Sequence, residues 1–357
     1  MQARRLRYDE MKLTVAIIGS GKSAAEHHIP GYLSMPDVEV IALADTDAER
    51  ARAVARQFGI RGIYEDYAVM LKRRRPQLVS VCSAPSDHKN AVLSALSREA
   101  HVLCDMPMAL SADEGKEMLE AAEHAERTLV FAAPHRFGSQ AKTVRQGIVS
   151  GDLGEVHFCT AWGRKKTIPA EDFWMIKAQQ GGGALSVSGQ LLVDFALWLV
   201  GDEPTSVSGQ MFRRFAKNPD MPKTWFGSRR EFDADDLAVA LIRCRRGLLF
   251  LETDWLFSQE EWGLQVVGTK GRGSTSPFRM EFTGEGELVD MTPTFLPGAS
   301  VWNELIRSFI EAAQGQRKPF PDPLETLRAQ QVCDAVRRSS VSGREIVLPA
   351  AETAGPT

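Results

Sequence analysis

The feature that most constrains this chain is a β-prone apolar run, Leu13 to Ile18, that stops at Gly19-Ser20-Gly21-Lys22-Ser23-Ala24 and gives way to a helix-compatible stretch, Ala24 to Leu33. Strand, G-x-G-x-x-A turn and helix in that order form a phosphate-binding unit. Gly19 permits the tight turn, Gly21 lets the backbone approach a pyrophosphate, and Ala24 stands where the helix packs closely on the strand. The helix N-terminus, with Ser20, Lys22 and Ser23 around it, then receives the phosphates. The next strand, Val38 to Ala44, ends in Asp45, 24 residues beyond Gly21. That is about the spacing of an acid that accepts hydrogen bonds from the adenosine ribose. A carboxylate there repels a 2′-phosphate and favours NAD over NADP, with Arg50 and Arg52 pulling the other way.

The alternation continues as helix (Ala48 to Phe58), short strand (Gly62 to Tyr64), helix (Tyr67 to Arg73) and buried run (Leu78 to Ser83). A helix (His88 to Ser97), strand (His101 to Cys104), helix (Ala112 to Glu126) and strand (Leu129 to Ala132) follow. Such a pattern predicts an α/β fold with an N-terminal Rossmann domain, a doubly wound parallel sheet. Ligands of these sheets sit beyond the carboxyl ends of the strands. Gly19, Asp45, Ser83-Ala84-Pro85, His88 and Asp105-Met106 are therefore expected to converge on the cofactor.

With 357 residues, 43% of them apolar, the chain can bury two cores. The boundaries read as a dinucleotide-binding domain over 11–134 and a second domain over 135–349, with 1–10 and 350–357 as flexible ends. A net charge of -3 with mixed signs argues against nucleic acid and anionic membranes and for a small-molecule substrate. Cys82, Cys104, Cys159, Cys244 and Cys333 show no metal-ligand spacing, so reduced thiols, no metal and a cytoplasmic setting are expected. No signal-peptide pattern or apolar run near 18 residues is read from the sequence.

From Arg136 the pattern changes to helix (Gln140 to Ser150), strand (Val156 to Trp162), a loop, and helix (Ala184 to Val200). Val207 to Phe212, Asp236 to Cys244, Leu248 to Leu256, Trp262 to Gly268 and Gly273 to Phe282 then read as strands. They predict an α+β domain with a mostly antiparallel, open-faced sheet. Leu249, Leu251, Trp255 and Phe257 are taken to line the free face and join subunits into a homodimer or homotetramer. The long loop Arg213 to Asp233 reads as a lid or a partner arm.

The glycine turn, Ala42-Leu43-Ala44-Asp45, His101 to Pro107, Gly151-Asp152-Leu153-Gly154-Glu155-Val156, Gly181-Gly182-Gly183-Ala184-Leu185 and Val267-Gly268-Thr269-Lys270-Gly271 together resemble the Gfo/Idh/MocA family of oxidoreductases. The resemblance implies a substrate cleft beside the glycine triplet. It also implies a lysine, an aspartate and a histidine as the chemical residues, at positions that here hold Met106, Val187 and Leu191. None of these three side chains can do acid or base work. Lys177, four residues before Gly181, is a candidate substitute if desolvation lowers its pKa, and a solvated loop lysine otherwise. Gln190 is a candidate for binding substrate by hydrogen bonds. His88 and His135 are the histidines best placed near strand ends. Three functions stay open: an NAD(P)-dependent oxidoreductase on a small polar or cyclic, sugar-like substrate; a dinucleotide-binding pseudoenzyme with a regulatory role; and a lyase or epimerase in which bound NAD is transiently reduced.

Overall fold

The computed structural model describes residues 12–166, 178–214, 232–255, 259–284, 286–296 and 298–350. The first layer runs β1 (Leu13–Ile18), a π-type turn (Ala24–His28) continuing into α1 (Ile29–Leu33), β2 (Val38–Ala44), α2 (Ala48–Phe58), β3 (Gly62–Tyr64) and α3 (Tyr67–Arg74). It continues with β4 (Leu78–Val81), α4 (Pro85–Leu96), β5 (His101–Cys104), α5 (Ala112–His124) and β6 (Leu129–Phe131). The strands lie in the order β3-β2-β1-β4-β5-β6, all parallel. Every residue of β4 and β6 is buried, as strands covered by helices on both faces must be. Helices begin where side chains supply the missing acceptors: Asp47 caps α2, Asp66 caps α3 and Ser111 caps α5. The chain leaves β1 on one side for β2 and later returns on the other for β4, which opens a crevice at the β1 and β4 carboxyl ends.

A 3-10 turn (Pro134–Phe137) and α6 (Ser139–Val149) lead into the second layer. It comprises β7 (Val156–Arg164), a π-type turn (Leu185–Gly189) continuing into α7 (Gln190–Val200), β8 (Pro204–Phe212), β9 (Leu237–Cys244), β10 (Leu248–Asp254), β11 (Glu261–Gly268), β12 (Gly271–Thr275), β13 (Phe278–Gly284) and β14 (Glu287–Asp290). After these come α8 (Val301–Ala313), α9 (Pro323–Ser342) and β15 (Ile346–Val347). The sheet order is β14-β13-β12-β11-β7-β10-β9-β8-β15. Its pairings are antiparallel except β7 with β10. The single strand expected over Gly273 to Phe282 is a hairpin instead, because Pro277 carries no N–H for the ladder and the chain turns there.

The last helices return to the first domain. Leu305, Ile306, Phe309 and Ile310 of α8 are buried with Val15, Ile17 and Leu43 of the parallel sheet. Each such side chain contributes roughly 1.5–3 kcal/mol over an exposed one. Leu327 of α9 joins the core on the other face of that sheet, while Ala329, Val332 and Val336 pack in the second domain. One helix thus ties both cores together.

Two expectations are corrected. Leu249, Leu251 and Trp255 face inward, 2%, 0% and 0% exposed, so they are core residues and cannot line a free face. Strand alternation turns Leu248, Phe250 and Glu252 to the other side of β10; Phe257 lies outside the described residues. The segment Ala178–Val200 is also long and apolar enough to cross a membrane by composition. Most of it is buried between the second sheet and α9, as a core helix is.

Candidate active site

At the crevice the carboxyl ends of β1, β2 and β4 enclose a cavity of about 390 Å³. Ile18, Gly19, Gly21, Asp45, Arg50, Tyr67, Cys82, Ser83, Ala84 and Asp87 line it from the first domain, and Gln180 from the second. Gly19 has φ +92°, and a Cβ there would stand 2.5 Å from the Cys82 carbonyl oxygen, so only glycine closes the turn against β4. Ala24 is fully buried, where the π-type turn meets the sheet.

Asp45 is 8% exposed at the end of β2. Its Oδ2 accepts from the Ser20 backbone N–H at 2.7 Å and the Ser20 hydroxyl at 2.6 Å. Its Oδ1 accepts from the Asp47 N–H at 2.8 Å and from Arg50 Nη2 at 3.0 Å. Burial pushes this carboxyl up, but the hydrogen bonds from Ser20 and Asp47 and the Arg50 charge outweigh it and leave the pKa below its ordinary value. Asp45 is therefore an ionised acceptor inside the cavity. The buried Ser83 hydroxyl, another lining group, faces the Asp87 carboxyl and counters the upward push of burial on it. A cradle that requires glycine and an ionised acid at the strand end fit a dinucleotide, which needs close backbone approach and polar partners for its ribose groups.

Sequence reasoning missed several of the lining residues, among them Tyr67 and Asp87. The Tyr67 hydroxyl donates to Asp87 Oδ1 at 3.2 Å across the top of α3 and α4. Burial raises the Asp87 pKa, opposed by the Tyr67 hydrogen bond. An acid in the first turn of a helix is ordinarily read as complementing the dipole, so its sequence carried no separate signal.

Other expected residues take different places. His88 is 1% exposed, with Nδ1 2.9 Å from the Pro107 carbonyl oxygen and Nε2 2.9 Å from that of Ser83. It joins the loops after β4 and β5 from behind, and it does not line the cavity. Gln190 is 2% exposed, accepts from the Met108 N–H at 3.2 Å and donates to Gln330 Oε1 at 2.5 Å. Its amide is spent tying α7 to α9 and to the loop after β5, so the assignment to substrate contact is withdrawn. Lys22 is exposed at the turn, and Lys177 lies outside the described residues.

Asp105 is 17% exposed beside the buried His28, whose Nε2 stands 3.6 Å from Asp105 Oδ1. Together with Cys82 these residues bring three potential ligand atoms within 4.8 Å of one another. A thiol binds metal as thiolate, and burial holds the Cys82 pKa well above its ordinary value, so the cluster is assigned to packing. Burial likewise keeps the Cys104 thiol protonated.

The second domain closes on this crevice through the glycine triplet. A Cβ on Gly181 would lie 2.7 Å from Pro85 Cβ, and one on Gly183, at φ +111°, 2.0 Å from Asp235 Oδ1. The π-type turn and α7 begin here, stabilised by Leu185 N–H to Asp235 Oδ2 at 2.8 Å and Thr253 Oγ1 to the Ala184 carbonyl at 3.0 Å. Met106, Val187 and Leu191 are all partly exposed around this junction. Farther along α7 the buried Asp194 holds Arg136, with Oδ1 to Nη2 at 2.7 Å and Oδ2 to Nε at 2.9 Å. Asp194 thus serves the joint between the domains.

Fold and site together define a dinucleotide-binding protein in which an α+β domain follows the parallel-sheet domain. Comparison with known proteins gives the family. The model described as "Oxidoreductase family, NAD-binding Rossmann fold" matches residues 13–133, and that of the GFO/IDH/MocA C-terminal domain matches residues 141–273. The chain belongs to the Gfo/Idh/MocA oxidoreductase family, and its first domain is an NAD-binding Rossmann domain. It is similar to the D-glucoside 3-dehydrogenase of Escherichia coli strain K12, 27% identical over 342 residues that span 94% of this chain and 97% of that one. Among solved structures it resembles an oxidoreductase domain protein from Kribbella flavida, with TM-score 0.84 at 23% identity, covering 95% of this chain and 100% of that one. It also resembles the WlbA dehydrogenase from Bordetella pertussis in complex with NADH and UDP-GlcNAcA, with TM-score 0.78 at 22% identity, covering 95% and 99%.

Proposed function

We propose that the protein oxidises a secondary hydroxyl of a cyclic, sugar-like substrate with NAD+ as acceptor. The observation that carries this reading is the ionised Asp45 in a glycine-lined cavity that opens toward the triplet Gly181 to Gly183. The similarity to a D-glucoside 3-dehydrogenase along nearly the whole chain supports the sugar-like class. Bound NAD+ supplies a hydride acceptor. The chain itself holds the ribose at Asp45, keeps the backbone close at Gly19 and Gly21, and buries the reacting region beneath the second domain.

One observation favours a second reading: Met106, Val187 and Leu191 make the junction apolar where the family carries its chemical groups. A dinucleotide-binding regulator without turnover accounts for that equally well. The full-length protein mixed with NAD+ and either methyl β-D-glucopyranoside or myo-inositol separates the two. NADH formation supports the dehydrogenase; NADH binding, followed by fluorescence, with no turnover across such a panel supports the regulator. Subunit association is placed, as part of the same proposal, on the outward face of the second sheet with Leu248 and Phe250. Sedimentation of a Phe250→Glu variant, expected to shift toward the monomer, tests it.

A further inference from the structure

The cofactor cavity is acidic, although the molecule it receives carries a pyrophosphate. Among the described lining residues Asp45, Glu65 and Asp87 stand against a single cation, Arg50. The phosphates belong at the turn from Gly19 to Ala24, so each acid must face a hydrogen-bond donor of the dinucleotide instead. Asp45 is placed for the ribose. Glu65 lies at the rim, its side chain 71% exposed beside Arg52. Asp87 is half-buried inside the cavity, and the ribose contact at Asp45 does not account for it.

Its place in the fold puts Asp87 at the adenosine end. The Asp45 N–H donates to the Tyr64 carbonyl at 3.0 Å, so the chain after β3 runs beside the end of β2, and Tyr67 opens α3 three residues on. From there the Tyr67 hydroxyl reaches across the crevice to Asp87 Oδ1 at 3.2 Å. The nicotinamide end lies the other way, toward β5 and the glycine triplet. Pro85, on the same first turn of α4 as Asp87, is the residue that a Cβ on Gly181 would strike at 2.7 Å. Two residues along a helix turn a side chain by about 200°. Pro85 therefore meets the second domain while Asp87 turns to α3. Ile18, Ala44, Ala84 and the Tyr67 ring supply the apolar walls that a purine needs between these groups.

We propose that Asp87 selects the base of the cofactor: its carboxylate accepts a hydrogen bond from the exocyclic amino group of adenine, with Tyr67 as its positioning residue. The Tyr67 hydroxyl donates to Oδ1 and the Ser83 hydroxyl lies against the same carboxyl. A carboxylate has about four lone-pair sites, so capacity is left for a donor in the cavity. Hypoxanthine carries a carbonyl oxygen where adenine carries the amino group. Against Asp87 that oxygen sets acceptor to acceptor, and a buried site built for a donor rejects a ligand that lacks one. The inference concerns binding alone and holds whether or not a substrate is turned over.

The test titrates the full-length protein with NADH and with reduced nicotinamide hypoxanthine dinucleotide, following nicotinamide fluorescence. Wild type should bind NADH about tenfold or more tighter. Asp87→Asn, whose amide can donate to the hypoxanthine oxygen as readily as it accepts from adenine, should erase or invert that preference. Tyr67→Phe keeps the ring but removes the positioning hydroxyl, and should lose part of it. Equal affinities in wild type, or a ratio left unchanged in Asp87→Asn, would overturn the assignment. Should Asp87→Asn not fold, an unchanged ratio in Tyr67→Phe does the same. If wild type binds neither dinucleotide, the cofactor assignment itself falls and this role with it.

Discussion

The Asp45 carboxylate is closed over Ser20: one oxygen, Oδ2, accepts both the backbone N–H and the hydroxyl of that residue, at 2.7 and 2.6 Å. The acid that ends β2 is thereby fixed to the loop that ends β1 before any ribose arrives. Asp45→Ala should weaken NAD+ binding about ten- to a hundredfold, the worth of hydrogen bonds to a charged group. NADP+ should lose less, because the same change removes repulsion of its 2′-phosphate. Because the carboxyl titrates below its ordinary value, wild-type NAD+ affinity should not change through Asp45 between about pH 5 and 8. Fluorescence titration of both dinucleotides over that range checks the set.

Gly183→Ala should destabilise the protein severely. Its Cβ would fall 2.0 Å from Asp235 Oδ1, and its φ of +111° is strained for any L side chain. Combining it with Asp235→Ala removes the clash but not the strain, which costs on the order of 1–3 kcal/mol by itself. Urea unfolding of the single and double variants should show a partial rescue; independent, additive losses would contradict this geometry.

Asp194→Ala should cost about 3–5 kcal/mol, because it leaves the Arg136 guanidinium buried without its main partner. Both side chains are fully buried. Lys142→Ala, which removes an exposed partner of Glu304, should stay within about 1 kcal/mol. Chemical denaturation of the two variants side by side reads the difference.

His135 makes stability depend on pH. Its pKa falls from 6.5 to about 4 on folding, through burial opposed by Asp194, so the unfolded chain binds the proton more readily. The contribution is fully present above about pH 6.5 and is lost as pH falls toward 4, roughly 3–4 kcal/mol in all. His135→Phe should flatten that part of the curve. Denaturation midpoints of variant and wild type that keep a constant separation from pH 7 to 4.5 would rule it out.

The cofactor half was legible because its chemistry is local. Gly19, Gly21 and Ala24 sit within one turn, and Asp45 ends the next strand, so spacing along the chain translated into spacing in the crevice. Tyr67 and Asp87 were missed, since each reaches the cavity from a separate helix start whose sequence signals only a cap. Gln190 was misjudged for a related reason. Its neighbour Leu191 is partly exposed, but one residue along a helix turns a side chain by about 100°, and Gln190 points instead at Gln330 and Met108.

Period and turn chemistry determined, from the sequence by itself, the strands and helices of the parallel sheet, the glycine turn and the acid that serves it, because those depend on neighbours a few residues apart. The family resemblance, not that local pattern, marked Met106, Val187 and Leu191 as expected replacements of chemical residues. Only the tertiary structure decided what surrounds those replacements. Leu249, Leu251 and Trp255 went to the core because strand register, set by β7 and β9, determines which face each residue takes. His135 packs against Phe195 and Trp262 because α7 and the second sheet meet the segment after β6, a meeting of segments 60 residues apart, His135 and Phe195, that no local pattern encodes.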